Sequence, residues 1–297
     1  PLMENDERVA VGTTYKQNGR EAAVLKGLEL TGPHLKDRLK HAVRTLGTDE
    51  VLVHCWRGGM RSEFFATLLG MCGLNVCMLE GGYKVFRRHA HQQFDRSWKF
   101  RVLSGHTGSG KTDILNALAG MAQVIDLEGL AHHRGSSFGG LGMDDITQEQ
   151  FENDLADRLM RFDPVQPIWI ENENRTIGTR VIPEGIWQQM ISAPRFEVQR
   201  TFDERLDQLM HDYAGFPRAD LRDAMERIGK RLGPQHVKRA LELLDEGMLR
   251  DAFAIALRYY DKAYDFHNEK YDVPSAASVN GMGRTAEEIA MTIKDIN

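Results

Sequence analysis

Apolar residues in the first half of the chain follow two patterns, short runs and helical repeats. Short, mainly apolar runs at 51–53, 76–79 and 100–103 each precede a glycine-containing turn, and such runs are typical of buried strands. A segment with apolar residues three or four positions apart follows each turn, and this spacing predicts a helix. The alternation predicts parallel strands joined by helices, which is the α/β class.

The rest of the chain is assigned from the same patterns. Residues 1–50 are mostly polar with apolar positions at helical intervals, so we expect helix there. Further strands are expected at Val124–Leu127 and Ile168–Ile170, where apolar runs end in a carboxylate or a small polar turn. From 202 to 271 the pattern is helical throughout, which predicts a helical C-terminal region.

Length and composition limit the classes of protein that remain. A chain of 297 residues with 41% hydrophobic and 27% charged residues predicts two globular domains, which we expect at 1–97 and 98–297. No apolar run is long enough to span a bilayer, and the three cysteines form no CxxC pair, so we expect a cytoplasmic protein. The net charge of −5 argues against a broadly basic nucleic-acid binder. Nothing in the sequence indicates a stable protein partner or a membrane.

A single cysteine stands in a loop suited to an activated thiol. Cys55 follows the strand run at 51–53, and the helix pattern begins a few residues later. Backbone N–H groups and the positive end of that helix can therefore converge on its sulfur. The residues predicted to form the anion loop around the thiol are Arg57, Gly58, Gly59 and Arg61. The alternative is a buried structural cysteine, which is the interpretation we give Cys72 and Cys77.

The segment SGHTGSGKT is predicted to bind phosphate. It fits GxxxxGK[ST] and lies between a predicted strand and a predicted helix, which is the context that this motif requires. Backbone amides would surround the phosphates, Lys111 would neutralise them, and Thr112 would hold Mg²⁺. Asp126 and Glu171 are the candidate acids on the metal side, with a strand-capping role as the alternative for each. The glycines of the predicted site are Gly105, Gly108 and Gly110.

Two arginines are candidates for additional phosphate contacts. Arg134 lies in the segment AHHRGSSFGG, which suits a loop that closes over an anion, and a solvated loop is the alternative. Arg175 follows the predicted strand at 168–170, where a structural ion pair is an equal alternative. The adjacent His132 and His133 lack a third ligand and make a poor metal site.

A local basic cluster is the candidate contact for RNA. Lys84, Arg87 and Arg88 lie on the predicted helix 84–94, interleaved with aromatic residues, and further basic residues follow in the linker. A solvated basic helix is the alternative. The tyrosines of the helical C-terminal region are expected to pack in the core, with an RNA surface as the minor alternative.

The order of four segments resembles that of the bacterial tRNA 2-selenouridine synthases. These segments are CWRGGMRS, LEGGYKVFRR, LSGHTGSGKT and DLEGLAHHRGSSFG. The first is similar to the active-site loop of rhodanese-like domains, so the resemblance implies a rhodanese-like domain followed by a P-loop NTPase-like domain with a helical C-terminal part. Family members also have an opening strand and helix ahead of the segment that begins here at Pro1. We therefore expect the chain to be truncated or renumbered.

The resemblance also implies an activity. Such enzymes are transferases that replace the sulfur of wobble 2-thiouridine in tRNA by selenium from selenophosphate, through an S-geranyl intermediate made from geranyl diphosphate. Cys55 would then hold or relay the chalcogen, and the glycine loop would bind a diphosphate, whether of a prenyl donor or of a nucleotide. One alternative is a sulfurtransferase fused to an ATP- or GTP-dependent small-molecule kinase. Another is a non-catalytic RNA-binding protein that uses the loop as a nucleotide switch.

Overall fold

The computed structural model describes residues 1–47, 49–271, 275–294 and 296. It divides into two compact units, Pro1–His89 and Ala90–Asn297. Both contain parallel strands and helices, which confirms the predicted α/β class.

The first unit opens with the helical segment α1, Asn5–Leu46, which bends back on itself. Gly19 interrupts the helix with φ 86°, a left-handed conformation that glycine adopts without a steric penalty. The two halves then pack together, because Arg38 on the second half forms an ion pair with Glu7 on the first at 2.9 Å. The helix predicted for residues 1–50 is thus confirmed.

A two-stranded parallel sheet completes the first unit. Its strands are β1 Glu50–Val53 and β2 Asn75–Met78, with α2 Met60–Met71 between them in sequence. The helix α3 Gly82–Phe94 follows, and its residues from Ala90 onward belong to the second unit. Few side chains cover this sheet, since Leu52 is 62% exposed and Met78 is 49% exposed. Cys72 and Cys77 are exposed as well, so the expectation that both are buried is wrong. Two strands with few covering side chains cannot bury the apolar residues of both faces.

The second unit is built on a five-stranded parallel sheet in the order β4-β5-β3-β8-β9, with a small antiparallel hairpin β6–β7. The strands are β3 Lys99–Ser104, β4 Gln123–Ile125, β5 Pro167–Glu171, β6 Thr176–Ile177, β7 Arg180–Val181, β8 Arg195–Gln199 and β9 Ser275–Asn280. The helices are α4 Lys111–Leu118, α5 Leu127–Ala131, α6 Gln148–Arg161, α7 Glu184–Ser192, α8 Phe202–Tyr213, α9 Arg218–Arg227, α10 Gly229–Leu232, α11 Pro234–Asp245, α12 Leu249–Tyr271 and α13 Ala286–Lys294.

Alternate residues of the central strand β3 supply two different cores. Phe100 and Val102 pack in a cluster with residues of α6 and α7, whereas Leu103 packs in a second cluster with residues of α4 and α13. The sheet is therefore the middle of three layers, as expected for parallel strands buried on both faces. Helices α8 to α12 form a third cluster of their own, which confirms the predicted helical region.

Parts of the second unit differ from the sequence prediction. The two compact units divide between His89 and Ala90, because Ala90, Phe94 and Trp98 are buried together in the core of the second unit. The domain boundary near Ser97 stays a prediction. Strand β4 ends at Ile125, and Leu127 begins α5 instead of ending the strand. Among the helices that the structure describes, none is both long and apolar enough to cross a membrane.

Candidate functional site

Cys55 lies in the loop between β1 and α2, with hydrogen-bond donors gathered around its sulfur. The backbone N–H of Gly59 donates to Cys55 Sγ at 3.2 Å, and the hydroxyl of the buried Ser62 lies 3.3 Å from the same sulfur. Arg57 is exposed and Arg61 is half-buried, and both follow the thiol within six residues of the chain. The first turn of α2 thus surrounds the sulfur with N–H and O–H groups.

These donors make Cys55 unusually acidic. Burial opposes ionisation of the sulfur, but hydrogen bonds from the Ser62 hydroxyl and from the backbone N–H groups of Gly59, Arg57 and Ser62 outweigh it. Together they lower the pKa of Cys55 to about 7. The thiol is therefore close to half ionised at neutral pH, and the thiolate is the nucleophilic form.

Two glycines allow the thiol loop to pack against the start of α3. Gly58 and Gly82 both have φ 65°, and a Cβ on Gly82 would clash with Gly58 N and Cys55 O. The close approach lets the carbonyl of Cys55 accept a hydrogen bond from the Tyr83 N–H at 2.9 Å. The turn LEGGYK, which lies well beyond the cysteine in sequence, is thereby part of the thiol loop's support.

The pH dependence of Cys55 alkylation tests this hydrogen-bonding pattern. In a chain carrying Cys72→Ser and Cys77→Ser, we expect the iodoacetamide reaction rate to rise with pH to a midpoint at about 7. Ser62→Ala removes one donor to the thiolate, so its midpoint should move upward. Thr67→Ala, which removes an exposed hydroxyl further along α2, should leave the midpoint in place. A midpoint that does not respond to Ser62→Ala would show that the hydroxyl does not stabilise the thiolate.

The glycine loop, Gly105–Thr112, connects β3 to α4 and presents free backbone amides. Among the hydrogen bonds of the described residues, the N–H groups of Gly108, Gly110, Lys111 and Thr112 donate to no protein acceptor. Gly108 has φ 79°, and a Cβ there would lie 2.6 Å from Leu209 Cδ1. The loop therefore keeps the curvature and the unpaired amides that an anion-binding loop requires.

The side chains of Lys111 and Thr112 make different contacts, one with the backbone of the glycine loop and the other with a carboxylate. Lys111 Nζ donates to the Gly105 carbonyl at 3.0 Å, and the Thr112 hydroxyl donates to Glu128 Oε2 at 3.2 Å. Glu128, from the start of α5, was not among the residues that the sequence singled out. The Ser109 hydroxyl in the same loop is buried and has no partner within the described residues.

Buried carboxylates crowd next to Lys111 and Thr112. Burial and the neighbouring Glu173 raise the pKa of Glu128 to about 8, and burial and the charge of Glu128 raise that of Glu171 well above its ordinary value. Burial also raises the pKa of Glu173, against the attraction of Lys111. A cation or a cationic ligand bound here would favour the ionised carboxylates and lower these pKa values.

The two acids predicted from the sequence have different positions. Glu171 is fully buried at the end of β5, accepts a hydrogen bond from the Glu128 N–H at 2.6 Å, and leaves Oε2 without a partner within the described residues. Asp126 instead accepts from the Gly129 N–H at 2.7 Å as the N-cap of α5. Asp126 thus caps a helix and not a strand, and Glu171 stays a candidate for the metal side.

Gly135 brings the loop after α5 over these carboxylates. Its φ is 64°, and a Cβ there would lie 2.8 Å from Glu128 Oε1 and 2.7 Å from Glu173 Oε2. Arg134, next to it, stacks 5.6 Å from the Tyr213 ring, and its Nη1 is buried without a partner within the described residues. A buried guanidinium nitrogen without an acceptor is available to an anionic ligand.

Arg175 is engaged by a carboxylate of α7. It forms an ion pair with Glu184 at 2.5 Å, and both side chains are about half exposed. The ion pair that the sequence left open as an alternative is therefore present. Such an exposed pair contributes little to stability, and it occupies the guanidinium that was predicted to bind phosphate.

Side chains from helices α8 and α12 form hydrogen bonds with the backbone of the glycine loop. The Gly105 N–H donates to the Tyr264 hydroxyl at 2.8 Å, and the buried Arg205 donates to the Thr107 carbonyl at 3.2 Å. Arg205 is fixed in turn by two hydrogen bonds to Asp261, at 2.6 and 2.9 Å. The helical C-terminal region thus supports the glycine loop, and Tyr264 serves that loop instead of the core packing expected for it.

Some basic residues of the predicted RNA-binding cluster are exposed, and others are engaged within the chain. Lys84 and Arg88 are exposed on α3, and Arg87 is half-buried with a partner. Of the later basic residues, Arg96 lies 4.9 Å from the Trp98 ring, and Arg101 donates to the Ile296 carbonyl at 2.8 Å. Those two side chains are engaged within the chain, whereas Lys99 is exposed and stays a candidate together with the basic residues of α3.

Comparison with known proteins decides the family. A family model described as the tRNA 2-selenouridine synthase AAA domain matches residues 98–291, which is more than half of the chain. The chain belongs to the tRNA 2-selenouridine synthase family.

Individual relatives extend the match into the first unit. A tRNA 2-selenouridine synthase of Aeromonas salmonicida is 34% identical over 300 residues, covering 89% of this chain and 80% of that protein. Another, of Nitrosomonas eutropha, is 36% identical over 72% of this chain and 57% of that protein. A third, of Cronobacter sakazakii, is 39% identical over 72% of this chain and 58% of that protein. The match thus spans little more than half the length of two of these three relatives.

Glu128 is the acid beside the glycine loop that the sequence patterns did not indicate. It stands two positions after Asp126, in the segment DLEG. The pattern of a strand followed by a carboxylate indicates the first acid and does not show which of the next residues turns back into the site. No three His, Cys, Asp or Glu side chains among the described residues form a metal-binding group by themselves.

Proposed function

We propose that this chain replaces the sulfur of 2-thiouridine at the tRNA wobble position by selenium, in two steps at two sites. What supports the proposal most directly is that one chain of this family carries both an activated thiol and a loop of unpaired amides beside a lysine. The first suits nucleophilic attack on the geranylated base, and the second suits a diphosphate leaving group. The proposed tRNA substrate implies a cytoplasmic enzyme.

The first step alkylates the tRNA at the glycine loop. The C2 sulfur of 2-thiouridine attacks the first carbon of geranyl diphosphate, the carbon–oxygen bond breaks, and diphosphate leaves with the electron pair. The unpaired amides of Gly108, Gly110, Lys111 and Thr112 and the Lys111 ammonium bind the charge that accumulates on the departing diphosphate. The unpaired Nη1 of Arg134 adds a donor from the loop after α5.

The second step exchanges the chalcogen in the first unit, which we propose to be rhodanese-like. The Cys55 thiolate attacks C2 of the geranylated base, and the carbon–sulfur bond to the geranylthiolate group breaks. Selenium from selenophosphate then attacks C2 and displaces the Cys55 thiolate, and water takes the phosphoryl group from selenium. Atoms and charges balance without an oxidant, and Cys55 is restored.

Residues of the second unit also fit a magnesium ion beside the diphosphate. The fit rests on the buried Glu171 Oε2, which has no partner within the described residues, and on the Thr112 hydroxyl beside Glu128. Oxygen ligands of this kind are those that Mg²⁺ prefers, in combination with phosphate oxygens. When bound, the ion would offset the charge of the phosphates and of the carboxyl groups.

A nucleotide instead of a prenyl diphosphate at the glycine loop would make the chain a sulfurtransferase fused to a kinase. The two functions differ in their products. Incubation with tRNA containing 2-thiouridine, geranyl diphosphate and selenophosphate, followed by nucleoside mass spectrometry, should give 2-selenouridine. Nucleotide hydrolysis or phosphoryl transfer without any change in the tRNA would instead support the kinase.

We propose that basic residues of α3 bind phosphates of the tRNA backbone. Replacing Arg87 and Arg88 by alanine should weaken tRNA binding, because phosphates that these side chains neutralise would regain their counterions. The log–log salt slope should fall by about 0.7–0.9 for each such phosphate. The measurement is a fluorescence titration at several salt concentrations.

The matched control is the adjacent exposed pair Lys238 and Arg239 on α11, replaced in the same way. This control variant should keep the wild-type affinity and slope. If it loses affinity while the α3 variant does not, the RNA surface lies on the helical C-terminal region.

A further inference from the structure

An apolar groove of about 590 Å³ runs along the first unit between the second half of α1 and the end of α2. Leu35, Leu39 and Val43 line it from one stripe of α1, and Leu68 lines it from α2. Its size lies within the range of small-molecule sites. The stripe leaves apolar surface open to solvent, since Val43 is 37% exposed.

Three cations border the groove at regular intervals. Lys36, Lys40 and Arg44 line it from α1, and none of them joins an ion pair or a side-chain hydrogen bond within the described residues. Each cation is four positions from the next in the helix, which corresponds to about 6 Å along the helix axis. No acidic side chain lines the groove in this described part of the chain. A ligand that fits must therefore combine an apolar body with several separated negative charges.

We infer that the groove binds the geranyl chain of the S-geranylated wobble nucleotide while neighbouring phosphates of the tRNA lie along Lys36, Lys40 and Arg44. The inference rests on the proposed function, in which the geranylated tRNA is the substrate of the second step. A free prenyl diphosphate carries its charges at one point, whereas the cations are spread over two turns of helix. Successive phosphates of a nucleic-acid strand match that spread better.

The groove and the thiol loop are connected by one helix. α2 begins at Met60, directly after the loop that surrounds Cys55, and its last turns supply Leu68 and the neighbouring Cys72 to the groove. The helical rise from Gly59 to Leu68 is about 13 Å. A ten-carbon chain on C2 of a base at the thiol loop would extend over a comparable length toward the groove.

Cys72 provides a direct probe of occupancy, because it lines the groove and is exposed, while Cys77 is exposed on β2 outside it. In the full chain carrying Cys55→Ala, the rates at which both cysteines react with N-ethylmaleimide are measured by peptide mass spectrometry. A saturating anticodon stem-loop RNA with S-geranyl-2-thiouridine should slow Cys72 about tenfold or more and leave Cys77 unchanged. The same RNA with 2-thiouridine should protect Cys72 much less.

Val43 and Val24 form a matched pair for the apolar contact. Both lie on α1 with similar exposure, 37% and 41%, and only Val43 lines the groove. Val43→Asn should reduce the preference for the geranylated over the thiolated RNA by about tenfold, because a buried alkyl chain would face an amide. Val24→Asn should keep the wild-type preference.

Three results would overturn the inference. They are equal protection of Cys72 by both RNAs, protection by geranyl diphosphate alone at the same level, or an unchanged preference in Val43→Asn. The RNA is synthesised with its geranyl group in place, so none of these measurements depends on catalysis. Absence of 2-selenouridine from the reconstituted reaction, together with normal protection of Cys72, would contradict the proposed function and leave the groove assignment supported.

Discussion

Alanine in place of Lys111 is expected to weaken geranyl diphosphate binding roughly ten- to hundredfold and to stop geranyl transfer to tRNA. The Lys111 ammonium donates to the Gly105 carbonyl, and this hydrogen bond keeps the ammonium at the glycine loop. Four backbone amides of that loop donate to no acceptor within the described residues. A hydrogen bond to a charged group contributes about 1.5–3 kcal/mol, and the loss falls on the leaving group, whose charge grows during the reaction. Calorimetry gives the affinity, and nucleoside mass spectrometry gives the transfer.

The control for Lys111→Ala is Lys238→Ala, which removes an exposed lysine of α11 far along the chain from the loop. It should retain affinity and transfer. The geranylated tRNA, supplied ready-made, should still be converted to 2-selenouridine by Lys111→Ala, because the second step does not use the glycine loop. A Lys111→Ala protein that binds geranyl diphosphate normally would show that the loop has another ligand.

Alanine in place of Cys55 should abolish selenium incorporation and let the geranylated nucleoside accumulate. The variant removes the thiolate that the amides and Ser62 stabilise, while the truncation of one small, half-buried side chain should cost little folding stability. Mass spectrometry of tRNA nucleosides after reaction with geranyl diphosphate and selenophosphate measures both products. Thermal unfolding checks that the fold is retained.

Cys77→Ala is the matched control, since Cys77 is an exposed cysteine of the same unit. It should make 2-selenouridine at the wild-type rate. Selenium incorporation by Cys55→Ala at that rate would remove the thiol from the mechanism. The non-catalytic alternative, a regulatory RNA-binding protein, instead predicts that neither variant nor the wild-type protein makes 2-selenouridine.

The sequence was most informative where a strand is apolar and its turn is rich in glycine. Strands β1, β2, β3 and β5 were predicted because buried parallel strands are nearly continuous apolar runs. Strand β8 was missed because Arg195, Glu197 and Gln199 make it polar at alternate positions. Strand β9 consists largely of small and polar residues, which carry little strand preference.

Each kind of site residue was predicted to a different extent, depending on whether it is close in sequence to the loop or comes from another element. Cys55, Lys111 and Thr112 belong to contiguous loops, so their local surroundings could be anticipated from spacing alone. Glu128 and Tyr264 act on the glycine loop from other elements, at positions that only the packing of helices against the sheet determines. A side chain such as Arg175 has the right chemistry, but a neighbouring carboxylate from α7 engages it.

The order in which products appear is the most direct test of a two-step exchange within one chain. Wild-type protein, tRNA with 2-thiouridine, geranyl diphosphate and selenophosphate are mixed, and samples quenched over time are analysed by nucleoside mass spectrometry. The account predicts that S-geranyl-2-thiouridine rises first and then falls as 2-selenouridine appears. It also predicts no selenium incorporation when geranyl diphosphate is omitted. Formation of 2-selenouridine at the full rate without geranyl diphosphate would contradict it.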